Sequence, residues 1–311
     1  MNKLDYLVTG AAGFIGSKVC QKLAISQKNF FGVDDLSKGV IQNVIDKSRF
    51  LKIDCSSEEF EVWLDHKKPK HIIHLCGQSS GERSHEDPTN DFLRNVLSTR
   101  RILSSSKFNE DLKSITFASS MSVYGNKLNA HENDKLNPIS WYGKHKLLSE
   151  NLIEHFSEIK KNVICNSLRL FNVYGEGQDL QDLKQGMISI FITMALIQNK
   201  IEVKGPSNRV RDFIHVNDVV DGLIKASERK KGSNYEVFNI ASGSSCEVKK
   251  IVELICEETN ASSEYKKIRT PLDQDFCSAD IKKSFEMLDF KPNRILGSEL
   301  KKMIVWAKQT L

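Results

Sequence analysis

Tyr142 and Lys146 stand four residues apart in the stretch ISWYGKHKLLSE, residues 139–150. Four residues is about one α-helical turn, so both side chains share a helix face. A phenol beside an ammonium is a proton-transfer couple, because the cation favours the phenolate and lowers a pKa that is otherwise ~10. A solvated helix that carries a tyrosine gives the same local pattern, so the couple needs partners elsewhere. FASSMSVYG (117–125) offers Ser119, Ser120 and Ser122 at a strand end, where serines also serve ordinary turns. TGAAGFIG places Gly10, Gly13 and Gly16 in a GxxGxxG spacing ahead of an apolar run that opens with Phe14 and Ile15. Such glycines permit a tight turn, close backbone approach to a pyrophosphate, and close packing of helix on strand. The amides at the helix start then face the phosphate charge.

Asp34, in VDDLSKG, follows Gly16 by 18 residues. That is near the ~20-residue spacing at which a carboxylate grips the adenosine ribose. Asp35 and Ser37 belong to the same turn, and a solvated carboxylate pair is the plain alternative. A carboxylate here repels the extra phosphate of NADP, so the expected cofactor is NAD. Asp54 and Cys55, closing RFLKIDC, are candidates for the adenine edge.

These residues sit on an alternating pattern. Strand-like runs at 4–10, 30–36, 49–55, 71–77, 114–120 and 162–175 alternate with helical stretches at 14–26, 58–65, 89–106 and around Tyr142. Alternation of this kind predicts a parallel sheet covered on both faces. The expected fold class is therefore α/β: a doubly wound, Rossmann-type parallel sheet with a smaller, interleaved α/β C-terminal lobe for substrate. Residues 1–175 form the expected NAD-binding domain, receiving segments from about 210–242, and 176–311 mainly the second lobe. In that part, 176–186 reads as a polar loop, 187–200 as an apolar helix, 210–228 as a strand leading into a helix, and 236–242 as a strand.

The composition agrees. A chain of 311 residues with 40% hydrophobic and 27% charged residues reads as a globular protein with room for about two domains. The net charge of +5 is spread over many segments with no basic run interleaved with aromatics, so nucleic acid is not an expected partner. Seven scattered cysteines without a CxxC or Cys/His cluster point to no metal site and no disulfide framework. There is no long apolar leader and no run near the ~18 residues that span a bilayer. The expected setting is cytoplasmic, without a membrane partner.

In order and spacing, the glycine turn, the acidic end of strand two, the strand-end serines and YxxxK resemble the extended short-chain dehydrogenase/reductase family of nucleotide-sugar epimerases and dehydratases. RLFNVYGEGQ (169–178), RDFIHVNDVVDG (211–222) and VFNIASGSS (237–245) look like that family's downstream motifs, so nearly the whole chain takes part. The resemblance implies Tyr142 as acid/base, Lys146 as its electrostatic partner and a hold on the nicotinamide ribose, and Ser120 as the hydroxyl that positions the sugar oxygen. It also implies that Ser119, Leu75, Cys76 and Gly77 lie along NAD. Asn172, Arg211 and Arg269 are the implied holds on a nucleotide-diphosphate sugar, with Ser122 beside it. Arginine suits a diphosphate because its fork bonds phosphate bidentately. A homodimer through the helix bearing Tyr142 is the family expectation. His215 reads as a structural histidine and Lys144 as a solvated one.

Members of the resembling family oxidise sugar C4 and then diverge. Its 4,6-dehydratases usually carry an Asp-Glu pair after the serine; here Met121 and Ser122 occupy those positions, and neither is an acid. What remains is 4-epimerisation, or net 4-dehydrogenation with release of the keto sugar; a non-catalytic dinucleotide sensor would have no need of all three of Ser120, Tyr142 and Lys146. Cys277 aligns with the family's gatekeeper position, where a bulky aromatic restricts the pocket. A cysteine there leaves room for an N-acetyl group, so Cys277→Tyr is expected to lower turnover of large sugars more than of simple hexoses. Steady-state comparison of the two substrate sizes checks this, and equal losses would remove the gatekeeper role.

Overall fold

The computed structural model describes residues 4–266 and 274–311. Its strands, in chain order, are β1 (Tyr6–Thr9), β2 (Phe30–Asp34), β3 (Phe50–Lys52), β4 (His71–His74), β5 (Ser114–Ser120), β6 (Lys127–Ala130) and β7 (Ile164–Leu170). They continue as β8 (Asn172–Tyr174), β9 (Lys200–Lys204), β10 (Val210–His215), β11 (Tyr235–Ile240), β12 (Ser245–Glu247), β13 (Ser262–Lys266) and β14 (Phe276–Ala279). The helices are α1 (Phe14–Ile25), α2 (Glu58–Lys67), α3 (Gly81–Glu86), α4 (Pro88–Phe92), α5 (Ser98–Ser106) and α6 (Trp141–Ile159). In the remainder they are α7 (Met187–Gln198), α8 (Val216–Ser227), α9 (Val248–Thr259), α10 (Lys282–Leu288) and α11 (Leu296–Thr310).

Seven strands form one sheet in the order β11-β7-β5-β4-β1-β2-β3, and every pairing in it is parallel. The chain starts at β1, winds outward to β3, then crosses back to β4. The doubly wound, Rossmann-type expectation is met, and the β1/β4 boundary is the switch point at which such sheets bind ligands. One face is covered by α1 and α8 in a core that includes Val8, Leu23, Leu168, Leu223 and Phe238. The other face, with Ile72, Ile102, Ile115 and Phe156, is covered by α2, α5 and α6. The buried strands are near-continuous apolar runs, as a parallel sheet covered on both sides requires.

A second core, with Ile192, Phe213, Val252 and Met303, joins α7, α9 and α11. Here β10 pairs with β8, β12 and β14, and β14 with β6, while β9 pairs with β13. No helix among the described residues is long and apolar enough to cross a membrane.

Several boundaries differ from the sequence expectation for local reasons. The run at 162–175 is two strands: at Phe171, whose N–H donates to Ile240 O, the chain leaves the large sheet and enters the small one as β8. β4 stops at His74 because the next two amides, of Leu75 and Cys76, donate to the Thr9 hydroxyl instead of to a strand. β3 ends early, since Asp54 closes an Asx turn on Ser56. The helix expected over 89–106 contains a π-helical turn at Leu93–Leu97. β6 and α3 carried no legible period and were not foreseen.

Glycine is required where β1 meets α1. Gly10 has φ +69°, and a Cβ on it would press on Cys76 N; a Cβ on Gly16 would overlap Gly10 O. Gly297, on α11, has nothing within 4 Å. Gly16→Ala is therefore expected to lower stability by roughly 2 kcal/mol or more, the cost of overpacking. Gly297→Ala is expected to raise it by about 0.5 kcal/mol through helix propensity. Thermal unfolding of both variants checks the pair.

Candidate active site

The site is built from the turn after β1 outward. No side chain caps α1, which leaves its first-turn amides available to an anion. Asp34, at the end of β2, accepts from Ala12 N at 3.0 Å and Leu36 N at 2.8 Å. Its carboxylate is thereby held at the mouth of the glycine turn, and burial raises its pKa. Asp35 is turned to an ion pair with Arg94, and it also accepts from the Ser37 amide and hydroxyl. Asp54 is half-exposed with Arg94 4.0 Å away, and Cys55 behind it is buried.

A second wall comes from the segment after β4. The Thr9 hydroxyl accepts from Leu75 N and Cys76 N, so its own proton goes to His74 Nδ1 at 3.0 Å. His74 Nε2 then donates to Thr99 at 2.9 Å, and Thr99 donates to Asn95 O at 2.7 Å. This chain fixes the histidine tautomer and pins β1, β4 and the π turn together. The π turn exposes that Asn95 carbonyl, which also accepts from Ser149 of α6 at 3.1 Å. Gly77, with φ +151°, runs so close that a Cβ on it would overlap Asn95 Oδ1 and lie 3.5 Å from Lys146 Nζ. Asn95 Oδ1 is buried without a hydrogen-bond partner among the described residues. A glycine cradle, a clamped carboxylate at its mouth and a spare acceptor along its wall fit a bound dinucleotide.

The third wall is β5 with α6. Ser119 donates to Glu150, and Ser120 Oγ accepts from Ser122 N and lies 3.1 Å from Ser122 Oγ. α6 is capped by Ser140, which accepts from Gly143 N at 3.1 Å. Its buried face carries Tyr142, Lys146 and Glu150 one turn apart. Lys146 Nζ donates to Ala118 O at 3.0 Å and lies 4.7 Å above the Phe117 ring. Tyr142 is buried on that helix face, and the Ser120 hydroxyl acts on its phenol. Glu150 accepts two bonds from Arg169 of β7, at 3.1 and 2.7 Å, a buried pair that anchors the helix. Lys144, by contrast, is exposed over Trp141.

The electrostatics correct one expectation. Tyr142 is pushed up to about 12, not lowered: burial dominates, the Ser120 hydrogen bond opposes it, and the Asp91 carboxylate adds to it. Burial also brings Lys146 down to about 8. The ammonium is 5.8 Å from the centre of the phenol ring, and desolvation is the largest influence on both groups.

On the substrate side, β8 and β10 place Asn172 and Arg211 on one small sheet. Asn172 Nδ2 donates to Asp212 O at 2.8 Å. The Arg211 guanidinium is buried, donating to the carbonyls of Val210, Asp275 and Gln274, and burial lowers it to about 10. Cys277, opposite Arg211 on β14, is buried with its Sγ against Met121 Sδ, directly below the serine loop. Arg269 lies outside the described residues. His215 Nδ1 accepts from Asn217 N, which leaves the ring proton on Nε2 facing Glu176 at 3.3 Å. Although Glu176, His215 and Glu299 could group around an ion, that tautomer offers a cation no lone pair at Nε2.

The sequence reading missed the roof and two buried partners. Residues 176–186 form a strap that passes Lys18 at Gly177. Asp182 on it accepts bidentately from Arg83 of α3 at 2.7 Å and pairs with Lys38, beyond β2, at 3.7 Å. Ser80 Oγ donates to Lys184 O at 3.0 Å, and Gln185 to Ser79 at 2.5 Å. Glu150 could have been found from its place four residues after Lys146; Asp91, which bonds His145 at 2.6 Å, had no such spacing signal.

Comparison with known proteins follows the same lines. The family described as NAD dependent epimerase/dehydratase matches residues 6–241. The putative UDP-glucose 4-epimerase of Methanocaldococcus jannaschii is 34% identical over 307 residues, which cover 97% of this chain and 98% of that one. UDP-glucose 4-epimerase of Thermotoga maritima, solved with UDP-glucose, has a TM-score of 0.91 at 30% identity over 99% of both chains. MoeE5 in complex with UDP-glucuronic acid and NAD has a TM-score of 0.87 at 29% identity, covering 99% of this chain and 100% of its own. The chain belongs to the NAD-dependent epimerase/dehydratase family and is an NAD-dependent enzyme of nucleotide sugars.

Proposed function

We propose that this enzyme is a 4-epimerase of a UDP-linked sugar, with Tyr142 removing and restoring the proton of the sugar O4. The observation that carries the reading is the placement of Tyr142 and Lys146 on the buried face of α6, with the Lys146 ammonium bonded to Ala118 O of β5 beside Gly77 and the Ser120 hydroxyl acting on the phenol. Oxidation at C4 requires the attached hydroxyl to lose its proton, so a base must stand within hydrogen-bond reach. NAD, when bound, accepts the C4 hydride and returns it to the opposite face of the keto sugar. Ser120 orients O4, and Lys146 supplies positive charge against a phenolate that burial alone disfavours. The UDP-sugars held by the structural relatives support the substrate class.

In this reading, residues 1–175 together with α8 and β11 hold NAD, and 176–311 mainly hold the sugar nucleotide, with Asn172 and Arg211 on its diphosphate. Met121 and Ser122 supply no carboxylate for elimination. Epimerisation is favoured over release of a keto sugar by the strap, whose bonds to α3 and to Lys38 favour retention of what lies beneath it. Phe92, Leu93, Trp141 and Leu148 leave an exposed apolar face on α4, the π turn and α6, which supports a homodimer built on that face; light scattering measures its mass.

The test is incubation with UDP-hexoses and UDP-N-acetylhexosamines, with NADH followed by absorbance and products by NMR. The expected result is the 4-epimer with no net NADH. NADH accumulating in step with substrate overturns epimerisation in favour of dehydrogenation. Tyr142→Phe is expected to lower kcat by about 10²-fold or more, the range of a lost general acid/base, while bound NAD stays at the parent level.

A further inference from the structure

Asp91 is the most completely buried carboxylate near the proposed chemistry, at 0% exposure on α4. One oxygen accepts from Gln78 Nε2 at 2.7 Å and Asn95 Nδ2 at 3.1 Å. The other accepts from His145 Nδ1 at 2.6 Å. His145 lies on α6 between Tyr142 and Lys146, 8% exposed. Its ring stacks on Trp141 with centroids 5.8 Å apart and meets the edge of Phe92 at 5.6 Å. The carboxylate therefore joins three parts of the cleft: the segment after Gly77, the π turn, and the first turns of α6. Burying a carboxylate is costly unless it is hydrogen-bonded, and here every bond ties one of these parts to another.

We propose that Asp91, acting through His145, is a positioning residue for the proton transfer at Tyr142: it fixes α6 against the 77–80 segment. This rests on the epimerase reading above. Besides burial, Cys76 of the segment after β4 acts on Lys146, Asp91 of α4 acts on the Tyr142–Lys146 couple, and the Ser120 hydroxyl of β5 acts on the phenol. Glu150 of α6 itself acts on Lys146 and is paired with Arg169. Asp91 is the one that acts on both members: it raises Tyr142 and raises Lys146. The consequence has a fixed sign. Removing the negative charge lowers both pKa values, so both limbs of the activity profile move the same way.

The experiment is the kcat/KM–pH profile of the NAD-loaded enzyme on the UDP-sugar it epimerises. Asp91→Asn, which keeps the shape and one acceptor, is expected to shift the acid limb and the basic limb downward together by about one pH unit. His145→Gln, which keeps a donor toward Asp91, is expected to retain the acid limb. An acid limb that vanishes in His145→Gln assigns it to the imidazole and overturns the proposal. Limbs that stay in place while Asp91→Asn loses rate evenly across pH overturn it as well, leaving a purely structural role. Should Asp91→Asn not fold, the double change Asp91→Ser with His145→Ser, which orphans no charge, is expected to give the same downward shift. No turnover by the parent enzyme sinks the epimerase reading and this role with it. Turnover that Tyr142→Phe abolishes, with unmoved limbs in Asp91→Asn, sinks this role alone.

Discussion

The bond from the Lys146 ammonium to the Ala118 carbonyl is the constraint around which the cleft is arranged. An ammonium taken out of water needs an acceptor in the right place, and here a strand carbonyl and the Phe117 ring face provide it. Once that bond is made, α6 can lie on β5 in only one rotation. Tyr142, one turn earlier on the same buried helix face, is then carried to the end of β5 near Ser120. Glu150, one turn later, arrives at Ser119 and Arg169. A single rotational setting of one helix thus brings the proposed acid/base to its hydroxyl and gives the helix its buried anchor.

The same burial that positions these groups makes them poor acids and bases by themselves. The phenol is pushed up and the ammonium down, so in the proposed function further positive charge would favour the phenolate. The fit between glycine cradle, clamped Asp34 and spare Asn95 acceptor says where such charge would come from.

How much of this was legible in the residues depended on whether a side chain's role is local. The glycine turn, Asp34 and the YxxxK spacing are set by backbone periods and turn sterics, and they lie where the spacing puts them. Glu150 follows the same helical period and was overlooked. Asp91, His145, Arg83 and Asp182 could not be read, because each is defined by a partner tens of residues away. Arg83 and Asp182 are 99 positions apart. The split of 162–175 into β7 and β8 was hidden for a similar reason: an unbroken apolar run does not show that Phe171 bonds one sheet while Asn172 joins another. Tyr142's raised pKa was missed because spacing records proximity to Lys146 and not the depth at which both are buried.

The π turn at Leu93–Leu97 carries one more implication. A π turn is an α-helix with one residue inserted, and a residue is worth about 100° of rotation at 3.6 per turn. Upstream of it, α4 is therefore out of phase with α5. Asp91 faces His145 because of that offset, while Thr99 and Ile102 downstream keep their faces toward the sheet. Shortening the turn by one residue would leave a smooth helix of good propensity with Asp91 swung a quarter-turn or more from its partners. The irregularity is thus an angular gear between two walls of the cleft, and a family member that lacks it must arrange this corner with different side chains.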